Sequence, residues 1–216
     1  WVIISMKLLY GLAISTYSWG WIGDTELGII LLGLVGVNIA VAQHHNEDSI
    51  AAQAALVLLA IGSAAGATYG QEGVAVMIAL GTLLLHGLAY FRKSGNLASL
   101  GIAVSYLWIG LHAISNGWIL FGINIIPFED ELLLFLLMFG VTGINAIMAT
   151  RFAEAENWFS AAFKGMGLGK PGLWSVSVGL GMVGALLAIA SNRLETGYAI
   201  AQLILYGISD NLSTCS

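Results

Sequence analysis

The sequence predicts an all-α integral membrane protein of about eight transmembrane helices, arranged as three pseudo-repeated helical hairpins with flanking helices. Three observations predict it. Only 9% of the 216 residues are charged while 58% are hydrophobic, and the mean hydropathy is +0.89. Apolar runs of about 20 residues recur along the chain, and in hydrocarbon only helices or closed barrels satisfy every backbone polar group. Glycine is abundant at 28 residues and proline scarce at two, a composition suited to unbroken helices that pack closely in lipid. A soluble domain carries about 25% charged residues, so a water-soluble enzyme is a poor fit. A net charge of −5 speaks against nucleic acid as a partner, since that role needs a basic surface.

Residues 1–216 read as one polytopic domain whose spans fall near 2–22, 26–43, 50–69, 73–91, 97–122, 131–150, 172–191 and 196–209. The first contains Lys7 and the last is the shortest, so seven spans is the alternative count. Met6-Lys7-Leu8-Leu9 has the look of a signal-peptide opening, but Tyr17, Trp19 and Trp21 stand where a small-residue cleavage site belongs. An uncleaved first helix is the expectation. Basic residues are retained on the cytoplasmic side. With eight spans, Lys7, Arg92, Lys93, Arg151, Lys164 and Lys170 share one side and only Arg193 takes the other, which places both termini in the cytoplasm of a cell-membrane protein. The outer loops then hold Asp24, Glu26, Glu72, Glu129, Asp130, Glu131 and Glu195, a face that attracts cations unless these are simply solvated loop ends. Residues 152–170 are too polar to span. Phe152, Ala155, Phe159, Ala162, Phe163 and Met166 recur at helical spacing there, so the segment is expected to lie at the interface or to act as a plain connector.

Three stretches of the chain match one another: Gly33-Leu-Val-Gly-Val-Asn38, Gly81-Thr-Leu-Leu-Leu-His86 and Gly140-Val-Thr-Gly-Ile-Asn145. Spans two, four and six run in the same direction, so the matched residues fall at a common depth. A polar side chain inside a span is costly unless it meets a partner or water, which makes it a functional candidate. Asn38, His86 and Asn145 would form one pore-lining ring of amides and an imidazole that titrates near neutral pH. Protonation of His86 would then gate flux near pH 6 to 7, roughly where an imidazole titrates, and His86→Ala would flatten the profile. The competing explanation is interhelical glue, worth under about 2 kcal/mol per contact. Gly33, Gly81 and Gly140 would let the inner helices approach or bend. Gly62, Gly66 and Gly70, with Gly179, Gly181 and Gly184, supply further thin faces for helix packing.

The chemistry-bearing residues otherwise point away from catalysis. No nucleophile motif, phosphate loop or zinc-protease helix is present, so no enzymatic activity is expected. His86 lies about six residues, roughly 9 Å, from the inner end of its span and His112 about fifteen residues, roughly 22 Å. That offset argues against a shared metal or haem. His44-His45 beside Glu47 and Asp48 is better read as a solvated turn, and Cys215 is a lone cysteine. Neither metal nor cofactor is expected. Trp19, Trp21, Tyr69, Tyr90, Trp158 and Trp174 mark span ends as an aromatic belt. Ser105, Tyr106, Trp108 and His112 lie deeper and either line a path or fill the core.

Tyr90-Phe-Arg-Lys-Ser-Gly95-Asn96, followed by Ala103-Val-Ser105-Tyr106-Leu-Trp108, resembles the second-to-third helix region of the acetate and succinate uptake family. Leu8-Leu9-Tyr10 and the run Ser105 to Trp108 are similar to the urea and amide channel family. The resemblance spans residues 50–192 for the first family and rests on short motifs. It implies a pore of three two-helix hairpins and assembly as a homo-oligomer. The Asn-Pro motif of the acetate family is missing near residues 49–56, and two extra helices precede the matched region, so no selectivity residue is carried over. An acidic outer face also suits an anion poorly. The expected function is a channel or facilitator for a small polar solute, a urea-like neutral molecule or a short carboxylate. The alternative is a non-catalytic subunit of a larger membrane complex, with the bilayer and its partner chains as its surroundings.

Overall fold

The computed structural model describes residues 48–120, 123–167, 169, 172–198, 200–202 and 204, together with ten positions between 29 and 45. Span 2–22 with Lys7, Lys170, the end of span 196–209 and Cys215 lie outside the described residues. The described chain is mostly helical. α1 covers Asp48–Arg92, α2 Gly95–Ile114, α3 Glu131–Arg151, α4 Trp158–Gly165 and α5 Leu173–Ala190. A short antiparallel ribbon, β1 (Trp118–Leu120) against β2 (Ile123–Ile125), pairs Trp118 with Ile125 and Leu120 with Ile123. The described positions between 29 and 45 and those between 196 and 204 are helical as well.

Among the described residues, four helices are long and apolar enough to cross a bilayer: Tyr69–Arg92, Gly95–Ile114, Glu131–Arg151 and Leu173–Ala190. These correspond to the expected spans near 73–91, 97–122, 131–150 and 172–191. Their side chains are distributed as a membrane-embedded chain requires, with polar groups inside and apolar groups outside. On α3, Ile147 is 69% exposed while Asn145 is fully buried. Val76, Leu80 and Leu83 on α1 and Val183 and Leu186 on α5 also face outward. The core joins Val74, Ile78 and Leu88 of α1 with Leu97, Ile102 and Ile109 of α2, Leu134, Met138 and Val141 of α3 and Ala185 and Ala188 of α5. α2 sits centrally, packing on α1, α3 and α5.

Helix ends are closed by local hydrogen bonds, as they must be where lipid supplies no partners. α1 contains a non-helical residue, Gly70, at φ 67° and ψ −162°, which separates two helical halves near the expected turn between spans three and four. Gly70 therefore breaks the helix and is not part of a packing face, a role only glycine fills without steric cost. α1 and α5 end alike: Lys93 (φ 52°) and Asn192 (φ 54°) take the left-handed conformation, while Ser94 N–H donates to Ala89 O (3.0 Å) and Arg193 N–H to Ala188 O (2.9 Å). This is the 6→1 closure that usually recruits glycine or asparagine. Ser94 then caps α2 by accepting from Leu97 N–H, and Asp130 caps α3 by accepting from Leu133 N–H.

Two expected boundaries are corrected. The span placed at 97–122 ends at Ile114, because Ser115 leaves the helix in an extended conformation and Gly117 has φ 82°. The buried Ser115 hydroxyl donates to Ile125 O and accepts from Gly117 N–H and Trp118 N–H (3.1 Å each), folding the ribbon back over the helix end. The helical spacing read across 152–166 is realised only in α4. Phe152 closes α3 instead, and Asn157 with Ser160 forms a capping box that fixes the start of α4. α4 buries only Ser160, leaving its aromatic and basic side chains at the surface or half-buried.

Two substitutions test this geometry in detergent-solubilised protein followed by thermal unfolding. A Cβ at Gly95 would lie 2.5 Å from Glu156 O and 2.8 Å from Ala155 Cβ; backbone cannot yield cheaply, so Gly95→Ala is expected to destabilise by about 1–3 kcal/mol. Lys93→Gly relieves a left-handed lysine and is expected to stabilise by about 1 kcal/mol.

Candidate functional site

Helix geometry puts His86 of α1 and Asn145 of α3 at one depth. Each lies six residues before the last residue of its helix, Arg92 and Arg151 respectively, so both stand roughly 9 Å in from that end. Their side chains meet: His86 Nε2 is 2.7 Å from Asn145 Oδ1, with the two residues 3% and 0% exposed. The Asn145 amide Nδ2 donates to Ser105 Oγ of α2 at 3.0 Å, and Ser105 Oγ donates to Ile102 O at 3.1 Å. One imidazole, one amide and one hydroxyl thus tie three spans together in apolar surroundings.

A second set of polar groups continues the layer. Thr142 precedes Asn145 by three positions on α3, which puts both on the same helix face. Its hydroxyl accepts from Tyr106 O–H of α2 (3.3 Å) and from Nε2 of Gln202 (2.8 Å), a fully buried residue beyond α5. His86 Nδ1 and Gln202 Oε1 are buried without a hydrogen-bond partner among the described residues. A Cβ at Gly101 would come within 2.8 Å of His86 Cε1 and 3.0 Å of Nδ1. Glycine at 101 is what lets α2 accept the imidazole against its backbone.

The remaining candidates take other places. Asn38 is fully buried in the partly described 29–45 stretch. Trp108 is half-buried and packs against the core, to which Tyr106 also belongs. His112 sits at the opposite end of the bundle, the ribbon end, where its Nδ1 donates to Ile126 O at 2.6 Å and its ring leans on Phe128. That end is laced further by Gln71 Oε1, which accepts from Glu129 N–H (2.8 Å) and Asp130 N–H (3.1 Å), and by Arg193, which donates to Asn116 Oδ1 (3.1 Å). Beside it an open basin of about 470 Å³ is lined by Glu131, Asn192, Glu195 and Thr196 among others. Gly81 is buried, whereas Gly33 and Gly140 are exposed and a Cβ at either would meet nothing within 4 Å. An added Cβ would crowd a neighbour at Gly95, against Glu156 and Ala155, and at Gly101, against the His86 ring. Among the described residues no group of three or more histidine, cysteine or acidic side chains is arranged to hold a metal ion.

Thr142 and Gln202 belong to the layer without having been singled out from sequence. Thr142 carried a usable signal, its i, i+3 relation to Asn145. Gln202 carried none, because one glutamine on a short terminal helix gives no indication of which neighbour it faces. No protein-family model, curated protein or solved structure matches the chain.

The link between His86 and Asn145 can be measured by a double-mutant cycle of His86→Leu and Asn145→Leu, using equilibrium unfolding in bicelles. A coupling of about 1 kcal/mol is expected. Additive effects of the two substitutions would show that the side chains do not stabilise one another.

Proposed function

We propose that the protein is a polytopic channel or facilitator for a small polar solute, with Asn38, His86 and Asn145 lining the narrow part of its path. The observation that carries this reading is the buried layer in which His86, Asn145 and Ser105 meet in an otherwise apolar bundle. Such a layer lets a solute exchange water for protein hydrogen bonds, and polar groups held at membrane depth by an uncharged bundle suit passive flux. The eight-span topology with cytoplasmic termini, the three-hairpin repeat and a homo-oligomeric assembly belong to the same proposal. The resemblance of residues 90–108 to the acetate and succinate uptake family and to the urea and amide channels supports it. The matched depth of His86 and Asn145 accords with the repeat that aligned them.

A second reading, a non-catalytic subunit of a membrane complex, is favoured by one specific feature. Gly179 and Gly140 sit on exposed faces with nothing within 4 Å of where a Cβ would stand, and thin faces of this kind admit a neighbouring helix closely. The two readings separate in proteoliposomes. Tracer and stopped-flow uptake of urea, acetate and ammonium are expected to show selective flux that the Asn38/His86/Asn145 triple alanine variant loses. A folded wild-type protein that passes none of them, and that co-purifies with other polypeptides, would favour the subunit.

A further inference from the structure

The directions of the hydrogen bonds in the buried layer narrow the class of solute it can hold. Ser105 Oγ donates its proton to Ile102 O, so toward Asn145 it accepts, and the amide nitrogen of Asn145 must face it. Oδ1 of Asn145 then faces His86, and because a carbonyl oxygen only accepts, the proton sits on His86 Nε2. In a neutral imidazole the other nitrogen is a bare lone pair. That nitrogen, Nδ1, is buried on a side chain 3% exposed and has no hydrogen-bond partner among the described residues. The reverse arrangement would orphan a buried N–H, which proteins tolerate less readily than an orphaned acceptor. Gln202, which turns its Nε2 to Thr142, likewise leaves an acceptor, Oε1, without a donor among the described residues.

From this polarity we infer that the layer is a binding seat for a neutral solute that donates hydrogen bonds, such as an amide or urea N–H, with Nδ1 of His86 as its acceptor. A carboxylate brings only lone pairs and meets the lone pair of Nδ1, so that nitrogen discriminates against it. The inference rests on the channel reading above and chooses between its two candidate substrate classes. Gly101 belongs to the seat because any larger residue there would press on the Cε1 and Nδ1 side of the ring.

The test uses the full chain in nanodiscs, labelled with ¹⁵N-histidine, and titrated separately with urea and with acetate at a pH well above the carboxylate range. His86→Phe identifies the His86 resonances. If that variant does not fold, replacing His44, His45 and His112 identifies them by elimination. The expected result is a neutral His86 protonated at Nε2 whose Nδ1 signal moves with urea and not with acetate. Matched proteoliposomes should pass urea faster than acetate by on the order of tenfold or more. An Nδ1 signal that ignores both solutes overturns the inference and leaves a buried structural water as the donor. A signal that responds equally to acetate overturns it as well. A urea-selective shift without protein-dependent flux would sustain the seat while sinking the channel reading, and flux without the shift would do the reverse.

Discussion

The governing constraint in this bundle is that polar groups placed in hydrocarbon must find their partners within the protein. The chain meets it at helix ends by short-range closure. Lys93 and Asn192 turn left-handed so that the following N–H reaches back into the helix, and Ser94, Asp130 and Asn157 lend side chains to the first turns of α2, α3 and α4. At the ribbon end, Ser115, His112 and Gln71 perform the same service for a stretch of irregular backbone. Irregular backbone is tolerated near a membrane where such partners exist, which explains why the loop after α2 is folded down onto the helix it leaves.

In the interior the constraint acts over long sequence separations. His86, Ser105 and Asn145 belong to three helices, so their bonds hold only if α1, α2 and α3 keep a fixed rotation and axial register. Apolar packing alone is permissive here, because leucine and lipid tails are equally good neighbours. The directional contacts therefore specify the arrangement more than they stabilise it. Gly101 shows the geometric consequence: the imidazole reaches Asn145 only because α2 offers no side chain where the ring passes. Thr142 and Asn145, one turn apart on α3, extend the same register to Tyr106 and Gln202.

Much of the frame was legible in the sequence because it depends on composition and period. Four expected spans reappear as helices, three of them close to their predicted limits, and the break at Gly70 falls near the expected turn. The common depth of His86 and Asn145 followed from aligning Gly81-to-His86 with Gly140-to-Asn145, since equal offsets from equal ends give equal heights on an α-helix. What was not legible depended on single side chains. Hydropathy carried span five through Trp118 and Leu120, whereas one hydroxyl at Ser115 ended it at Ile114. Amphipathic spacing ran from Phe152 to Met166, but Asn157 and Ser160 used their side chains as caps and confined the helix to Trp158–Gly165. Asn38, which the sequence aligns with His86 and Asn145, is buried. Small-residue patterns do not name the face they serve: Gly81, Gly181 and Gly184 are buried while Gly33, Gly140 and Gly179 are exposed, and a glycine has the same appearance in a sequence whether it faces a helix, a ring or lipid.

The identity of residue 86 carries the distinction between a layer that holds helices together and one that handles a solute. The aligned position 145 is asparagine, and it meets His86 with its carbonyl and Ser105 with its amide on a single short side chain. Histidine at 86 makes one such contact through Nε2 and then presents a second nitrogen that no described residue answers. An unsatisfied buried polar atom costs about 1–3 kcal/mol, comparable to or larger than the gain from one interhelical bond in a membrane. A purely adhesive imidazole would thus tend to return as little stability as it removes. The cost is accounted for if Nδ1 meets a donor that arrives from outside the chain; Oε1 of Gln202, whose Nε2 bonds Thr142, is a second buried acceptor that no described residue answers.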